Sequence, residues 1–310
     1  MTVVETSLEA VVTELRMDIE RNLERKISQR KDRFLLERTL RGGKRLRPIL
    51  LLMVFKALGG GDYQKALDVA TALEIAHSAS LVHDDILDRD YRRRGVPALW
   101  RQIGVGKAIL EGHRMINFAF ETVLEKGLEI AKIFVDAWDK ASKGILDEFL
   151  AQFNPSVGLY LILVREKTAS LFEAAAHAGA VLAEAEGNLL ETMKRYGAEL
   201  GTAYQLADDL NEILRKSQHG RLVYLLEDTR QRVMRALMAS KTGKLDWMIR
   251  SISPKTPSEG FLRSEIVKRV ALSRSLIRQS NVPNNYYKQL LMELPQYFVK
   301  QILVEGLGKR

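Results

Sequence analysis

The sequence predicts an all-α chain: a single domain over residues 1–310, built as a bundle of long, mostly antiparallel helices. Three observations predict it. The chain has only seven prolines. No segment shows the strict apolar/polar alternation of a half-buried strand. Apolar residues instead recur at helical spacing through stretches too long for strands.

The first helix is expected over 4–27, where apolar residues fall on one face. A basic loop, RTLRGGKRLRP, follows at 38–48. Residues 49–58 read as a buried helix ended by Gly59-Gly60-Gly61. The stretch 63–88 has no breaker and is apolar nearly all round until His77, which places it centrally. Further helices are expected at 106–126, 128–153, 157–185 and 189–216, and three shorter ones beginning near Arg221, Pro257 and Pro283. There is no fixed-period repeat and no Pro/Gly/Ser-rich linker.

Composition narrows the function. The chain has no cysteine, which removes disulfides, thiolate metal sites and thiol nucleophiles. The longest uncharged run, 149–164, is sixteen residues and holds Asn154 and Pro155, too short and interrupted to span a bilayer. The first twenty residues carry acids throughout and lack a signal-peptide core, so a cytoplasmic protein is expected. A net charge of +9 is compatible with nucleic acid, an anionic membrane surface or a small anionic substrate. Nucleic acid is disfavoured because the basic stretches carry no interleaved aromatics on which bases could stack.

Charge is gathered unusually at SLVHDDILDRDYRRRG, residues 80–95, with four aspartates and four arginines. Asp84 and Asp88 are i and i+4 on one helix face, Asp85 is beside them, and His77 lies two turns earlier. Far downstream, GTAYQLADDLNEIL repeats the pattern: Asp208, Asp209 and Glu212, with Gln205 one turn before. Crowded carboxylates repel and need a cation. An all-oxygen donor set that leaves room for phosphate oxygens suits Mg²⁺. Arginines placed immediately after the aspartates would bind the charge of a phosphorylated substrate through guanidinium forks. The separate loop GGKRLRP offers a second, metal-free anion site, its glycines letting the backbone bend. Two anion sites imply two phosphorylated substrates. The competing structural readings are a solvated turn for Arg92–Arg94, a satisfied core histidine for His77, and packing or surface roles for His83, Tyr204, Lys167 and Thr168.

With these residues in place, the chain resembles the trans-prenyltransferases, the polyprenyl diphosphate synthase family, of medium-chain type. The matching motifs are GGKRLRP, EIAHSASLVHDDILD, RRRGVPALW, KTASLF and GTAYQLADDLNE, in the family's order from Arg41 to Lys216. The resemblance implies helices around a central cavity, as in isoprenoid synthases, and a homodimer. It implies condensation of an allylic diphosphate with isopentenyl diphosphate. Asp84, Asp85 and Asp88 would hold Mg²⁺ on the allylic diphosphate, and Asp208, Asp209 and Glu212 a further Mg²⁺ from the opposite helix. Arg93, Lys167, Thr168, Gln205 and Lys216 would contact the allylic diphosphate. Lys44, Arg47, His77 and Arg94 would bind isopentenyl diphosphate. Of these, Asp84, Asp85, Asp88, Asp208, Asp209, Lys167 and Gln205 are the expected catalytic set. No side chain stands out as the final base, and the departing diphosphate is a reasonable proton acceptor.

The chain departs from the family pattern in three places. Glu212 replaces an aspartate, His113 stands where an aspartate is common, and the usual lysine-spaced loop is shortened to ILRKSQHGRLVYLLED, leaving Lys216 and Arg221 as substitutes. Small residues upstream of the first cluster, Ala72, Ala76, Ala79 and Ser80, together with ASLFEAAAHAGA, predict a deep tunnel. The expected product has five to seven isoprene units; close helix packing is the alternative account of those residues. A geranylgeranyl diphosphate synthase, a class I terpene cyclase and a non-catalytic synthase subunit are the rival functions. The C-terminal segment 283–303 is amphipathic enough for a dimer or membrane contact, with core packing the plainer expectation.

Overall fold

The computed structural model describes residues 7–151, 156–216 and 257–308. The helix expected near Arg221 lies outside them. In chain order the elements are α1 (Leu8–Ile27), α2 (Arg33–Leu40), α3 (Leu46–Ala57), α4 (Tyr63–Leu87), a two-strand ladder β1 (Arg92–Arg93) and β2 (Val96–Pro97), α5 (Leu99–Ile103), α6 (Val105–Leu124), α7 (Leu128–Ala151), α8 (Val157–Leu163), a π-helical turn Val164–Ala169, α9 (Ser170–Leu182), α10 (Asn188–Lys216), α11 (Pro257–Gln279) and α12 (Tyr286–Gly308). The all-α expectation holds.

Four details differ from the sequence reading. Residues 38–40 belong to α2, a short helix not expected. The basic loop is therefore confined to 41–45, and α3 starts at Leu46. The long helix expected over 157–185 is divided by the π turn. A minimal antiparallel ladder pairs Arg92 with Pro97 and Arg93 with Val96.

The chain forms two compact units: residues 1–138 with 174–190, and 139–173 with 191–310. In the first, α4 is the central rod. Residues Ala66 to Ala76 are buried without interruption, so the helix has no solvent-exposed face there. It packs on α6 most extensively, then on α3, α1 and α2. Asp62 caps its N-terminus by accepting from Lys65 N at 2.9 Å. Its last turn closes with Asp88 N donating to Asp84 O at 2.8 Å, and Arg89, at φ +56°, turns the chain out of the helix. α3 is buried from Leu46 to Phe55. Gly179 of α9 lies against it so closely that a Cβ would come within 2.5 Å of Leu51 O and 3.1 Å of Val54 Cβ. At that position of the alanine-rich segment, close packing explains the small residue.

In the second unit, Ala203, Leu206, Ala207 and Leu210 of α10 pack with Leu262, Ile266 and Val270 of α11 and Val299 and Ile302 of α12. Tyr196 is fully buried and donates to Leu291 O at 2.6 Å. The apolar face of α12, including Leu290, Leu294 and Phe298, is thus core, as the plainer expectation held. Among the described residues no helix is long and apolar enough to cross a membrane.

Candidate active site

The loop before α3 is built around a buried ion pair. Gly42 has φ +75° and Arg45 has φ +57°, so the chain reverses tightly between α2 and α3. Arg45, 2% exposed, donates from Nη1 to Glu74 Oε1 at 2.7 Å and from Nε to Glu20 Oε1 at 2.8 Å. It also donates to the Leu40 carbonyl. A Cβ on Gly43 would overlap the Arg45 guanidinium and lie 2.9 Å from Glu74 Oε1. The second glycine of GGKR therefore makes room for that pair. The loop GGKRLRP was expected to serve an anion; the structure turns its Arg45 inward as a buried anchor. Lys44 and Arg47 flank it.

Arg47 Nη1 lies 2.9 Å from His77 Nε2. A guanidinium only donates, so Nε2 accepts and the imidazole is neutral with its proton on Nδ1. That Nδ1 is buried with no hydrogen-bond partner among the described residues. Burial, then the charges of Arg47, Arg94, Arg45 and Arg93, hold the His77 pKa well below its ordinary value of 6.5. The sequence reading of His77 as a site member is thus compatible with its surroundings: a neutral donor among fixed cations. A depressed histidine pKa means that the unfolded chain takes up a proton the folded one refuses. Stability should be fully present above about pH 6.5 and decline as the pH falls through that value, by at most ~1.4 kcal/mol per pH unit for this proton. His83 shifts in the same direction, so the measurement is a difference. Urea unfolding of the wild type and His77→Gln at pH 7.5 and 5.5 should show a smaller acid loss in the variant; parallel losses would refute the assignment.

The acidic end of α4 divides its labour. Asp85 is buried and takes the Arg93 Nε at 2.7 Å and, more closely still, its Nη2. Burial raises the Asp85 carboxyl pKa, and Arg93 opposes that rise. Asp84 is partly exposed and Asp88 exposed. The arginine block is held by a tight hairpin: Arg94 (φ +50°) and Gly95 (φ +82°) form its two-residue turn, both with the positive φ that such turns need. Arg94 donates to the Arg41 carbonyl at 3.0 Å. Trp100 Nε1 donates to the Asp90 carbonyl at 2.9 Å, tying α5 to the hairpin. This is the structural use of the tryptophan in RRRGVPALW.

The second unit repeats the division. Asp209 accepts from Tyr160 Oη and, at 2.9 Å, from Gln205 Nε2. Burial raises its pKa, with both hydrogen bonds opposing. Gln205 Oε1 accepts from Thr168 Oγ1 at 2.8 Å, so Thr168, Gln205 and Asp209 form one chain of hydrogen bonds. Asp208 and Glu212 are exposed. Lys167 pairs with Glu148 at 2.6 Å. Lys167 and Thr168 sit on the π turn, an irregularity that redirects side chains and recurs at functional positions. Gly144 of α7 and Gly201 of α10 lie against it: a Cβ on Gly144 would be 2.7 Å from Lys167 N, and one on Gly201 2.9 Å from Ala169 Cα. The side chain of Lys216 lies outside the described residues, as does Arg221.

Some assignments are structural, as the sequence suggested. Tyr204 packs its ring 5.2 Å from that of Phe172. His83 sits edge-on to His113 at 5.3 Å, with Nε2 3.3 Å from the Ile109 carbonyl. Ala76 and Ala79 are buried; Ser80 is partly exposed and donates to the His77 carbonyl at 2.8 Å. No motif pointed to Tyr160 as a partner of Asp209 or to Glu20 and Glu74 as partners of Arg45. Each contact joins residues far apart in the chain.

The donor set fits a hard divalent cation. Both clusters present oxygen ligands, their outer acids reach solvent, and no thiol competes. Among the described residues, no three acids or histidines are already drawn together in a metal-holding arrangement.

The fold, the twin acid clusters and the separate basic group define a class: an all-α prenyltransferase making prenyl diphosphates. The profile of the polyprenyl synthetase family matches residues 33–234, and the chain belongs to that family. It is 38% identical over 174 residues to the geranylfarnesyl diphosphate synthase of Methanosarcina mazei, spanning 56% of this chain and 59% of that one. It is 31% identical over 290 residues to the geranylfarnesyl diphosphate synthase of Aeropyrum pernix, spanning 84% and 91%. With the geranylgeranyl diphosphate synthase of Sulfolobus acidocaldarius the identity is 30% over 274 residues, spanning 82% and 81%. Among solved structures, the polyprenyl synthase of Caulobacter crescentus CB15, complexed with calcium and isoprenyl diphosphate, superposes with a TM-score of 0.69 at 26% identity, covering 96% of this chain and 98% of that one.

Proposed function

We propose that the chain joins an allylic prenyl diphosphate to isopentenyl diphosphate, head to tail, with Mg²⁺, as a cytoplasmic homodimer whose two compact units make one domain. The observation that carries the reading is the segregation of charge in the first unit. Acids end α4 at Asp84 and Asp88, while Arg47, Arg93 and Arg94 surround a neutral His77. The Caulobacter relative's complex with calcium and isoprenyl diphosphate supports the choice of a divalent cation and a diphosphate.

In this reading Asp84, Asp88, Asp208 and Glu212 hold metal, beside Asp85, which is held by Arg93, and Asp209, which is held by Tyr160 and Gln205. Bound divalent metal would stabilise the negative charge that gathers on the departing diphosphate. Arg93 and Lys167 bind the allylic diphosphate, and Thr168 and Gln205 orient it. Lys44, Arg47 and Arg94 bind isopentenyl diphosphate, to which His77 can donate from Nδ1. The allylic C–O bond breaks with its electron pair leaving on diphosphate; the isopentenyl alkene supplies the pair for the new C–C bond. The proton lost in restoring a double bond goes to the departing diphosphate. Apolar walls must exclude water while the cation exists.

The product we propose has five isoprene units. That length lies within the five to seven expected from the small residues before Asp84, and matches the geranylfarnesyl names of two relatives. The geranylgeranyl relative makes four units the alternative. Incorporation of labelled isopentenyl diphosphate, with and without EDTA, tests the activity. Metal-dependent incorporation is expected; none at all would favour a non-catalytic subunit or a cyclase. Sizing the product by reversed-phase chromatography tests the length. Ala79→Phe and Ser80→Phe should each shorten it by one or more units, and an unchanged distribution would remove this face of α4 from the tunnel.

A further inference from the structure

The π turn at Val164–Ala169 sets a register between two helices of the second unit. In a regular α-helix, residues eight apart, such as Tyr160 and Thr168, point about 80° away from each other. A π turn closes i to i+5 and takes up about one residue more than an α turn. Across it the two side chains fall as residues seven apart would, about 20° from alignment. Both reach α10. Tyr160 Oη donates to Asp209 Oδ2, and Thr168 Oγ1 donates to Gln205 Oε1 at 2.8 Å. Gln205 and Asp209 are i and i+4, so one face of α10 is gripped at two points from one interrupted helix.

These bonds fix an amide. A carboxylate only accepts, so Gln205 turns Nε2 to Asp209 Oδ1, which it meets at 2.9 Å, and Oε1 to Thr168. Tyr160 holds the other carboxylate oxygen and so keeps the group from rotating away from the amide. A primary amide has two N–H groups, which gives Nε2 one beyond its bond to Asp209. Packing alone does not ask for this chain of bonds. Ala203, Leu206, Ala207 and Leu210 carry the apolar contacts of this part of α10, and the Tyr160 ring packs against the same cluster. A phenylalanine would fill that space equally well; the hydroxyl adds the bond to Asp209. We propose that Tyr160 is a positioning residue: acting through Asp209, it sets the orientation of the Gln205 amide and thereby the affinity for the allylic diphosphate. This role rests on the proposed function, in which Gln205 orients that substrate, and adds the residue that orients Gln205.

The test follows binding of farnesyl S-thiolodiphosphate to the full chain in Mg²⁺ buffer by titration calorimetry. Its bridging sulfur keeps the allylic bond intact, so nothing turns over. Tyr160→Phe should raise the Kd about five- to tenfold, the scale of one hydrogen bond, and leave the KM for isopentenyl diphosphate within about twofold. A folding defect would instead lower the number of chains that bind, not the affinity of those that do. Gln205→Ala should weaken binding at least as much, and adding Tyr160→Phe to it should cost nothing further, because Tyr160 acts through that amide. Asp209→Asn reaches the amide with Tyr160 intact: its Oδ1 takes the phenol, its Nδ2 forces Gln205 to turn, and the same weakening is expected. The inference alone is overturned if the wild type binds and either Tyr160→Phe or Asp209→Asn binds as tightly. It is overturned equally if the two single losses multiply in the double variant, or if the KM for isopentenyl diphosphate rises in step with the Kd. A wild type that binds none of the analogue overturns the proposed function together with it.

Discussion

Glu74→Ala should cost about 3 kcal/mol of folding stability, read as a fall in urea midpoint with little change in slope. Arg45 and Glu74 are each 2% exposed and meet at 2.7 Å. Removing the carboxylate strands a guanidinium that the packed interior will not hydrate. The low end of the usual range is expected because Arg45 keeps Glu20 Oε1 at 2.8 Å and the Leu40 carbonyl, although Glu20 is half-exposed. Such a loss is a sizeable fraction of a typical domain's stability. The control is the double variant Arg45→Met/Glu74→Ala. With both charges gone no buried charge is left unpaired, and only the Leu40 carbonyl and the half-exposed Glu20 lose a donor, so much of the loss should return. If the single variant is as stable as the wild type, the pair is not an anchor of the loop carrying Lys44 and Arg47.

The same pair marks the limit of what could be read from the chain. The twin acid clusters were legible because helical spacing is local: i and i+4 stack wherever a helix forms. The helices were legible for the same reason: the stretch read as 63–88 is α4, Tyr63–Leu87. Arg45, in contrast, sits among basic residues with nothing nearby to show that it points inward. Its partners are 25 and 29 residues away. The α2 helix was hidden because RFLLERTL is short and runs straight into the basic loop. The π turn at Val164–Ala169 left no trace in a sequence of good helix formers. Its packing did leave one, as Gly144 and Gly201 are needed where neighbouring helices come closest. Tyr160 reaches Asp209 across 49 residues, a contact set by packing in the second unit rather than by any motif.

Asp84→Asn should lower isopentenyl diphosphate incorporation by ~100-fold or more, on the scale of removing one preorganised electrostatic contact to a developing charge. The structure separates this aspartate from its neighbour. Asp85 is buried and committed to Arg93, so Asp85→Asn would disturb both the hairpin and the chemistry, and its defect could not be divided between them. Asp84 is partly exposed at the last turn of α4, and an amide there changes charge with little change in volume. Its thermal midpoint should therefore stay near the wild type, or rise, since one repulsion within the acid cluster is relieved. Activity and stability are expected to part company in this variant. Raising Mg²⁺ should recover some of the lost rate if the carboxylate binds metal. A loss that Mg²⁺ does not touch, or one that follows a fall in thermal midpoint, would assign Asp84 to structure and remove the first cluster from the reaction.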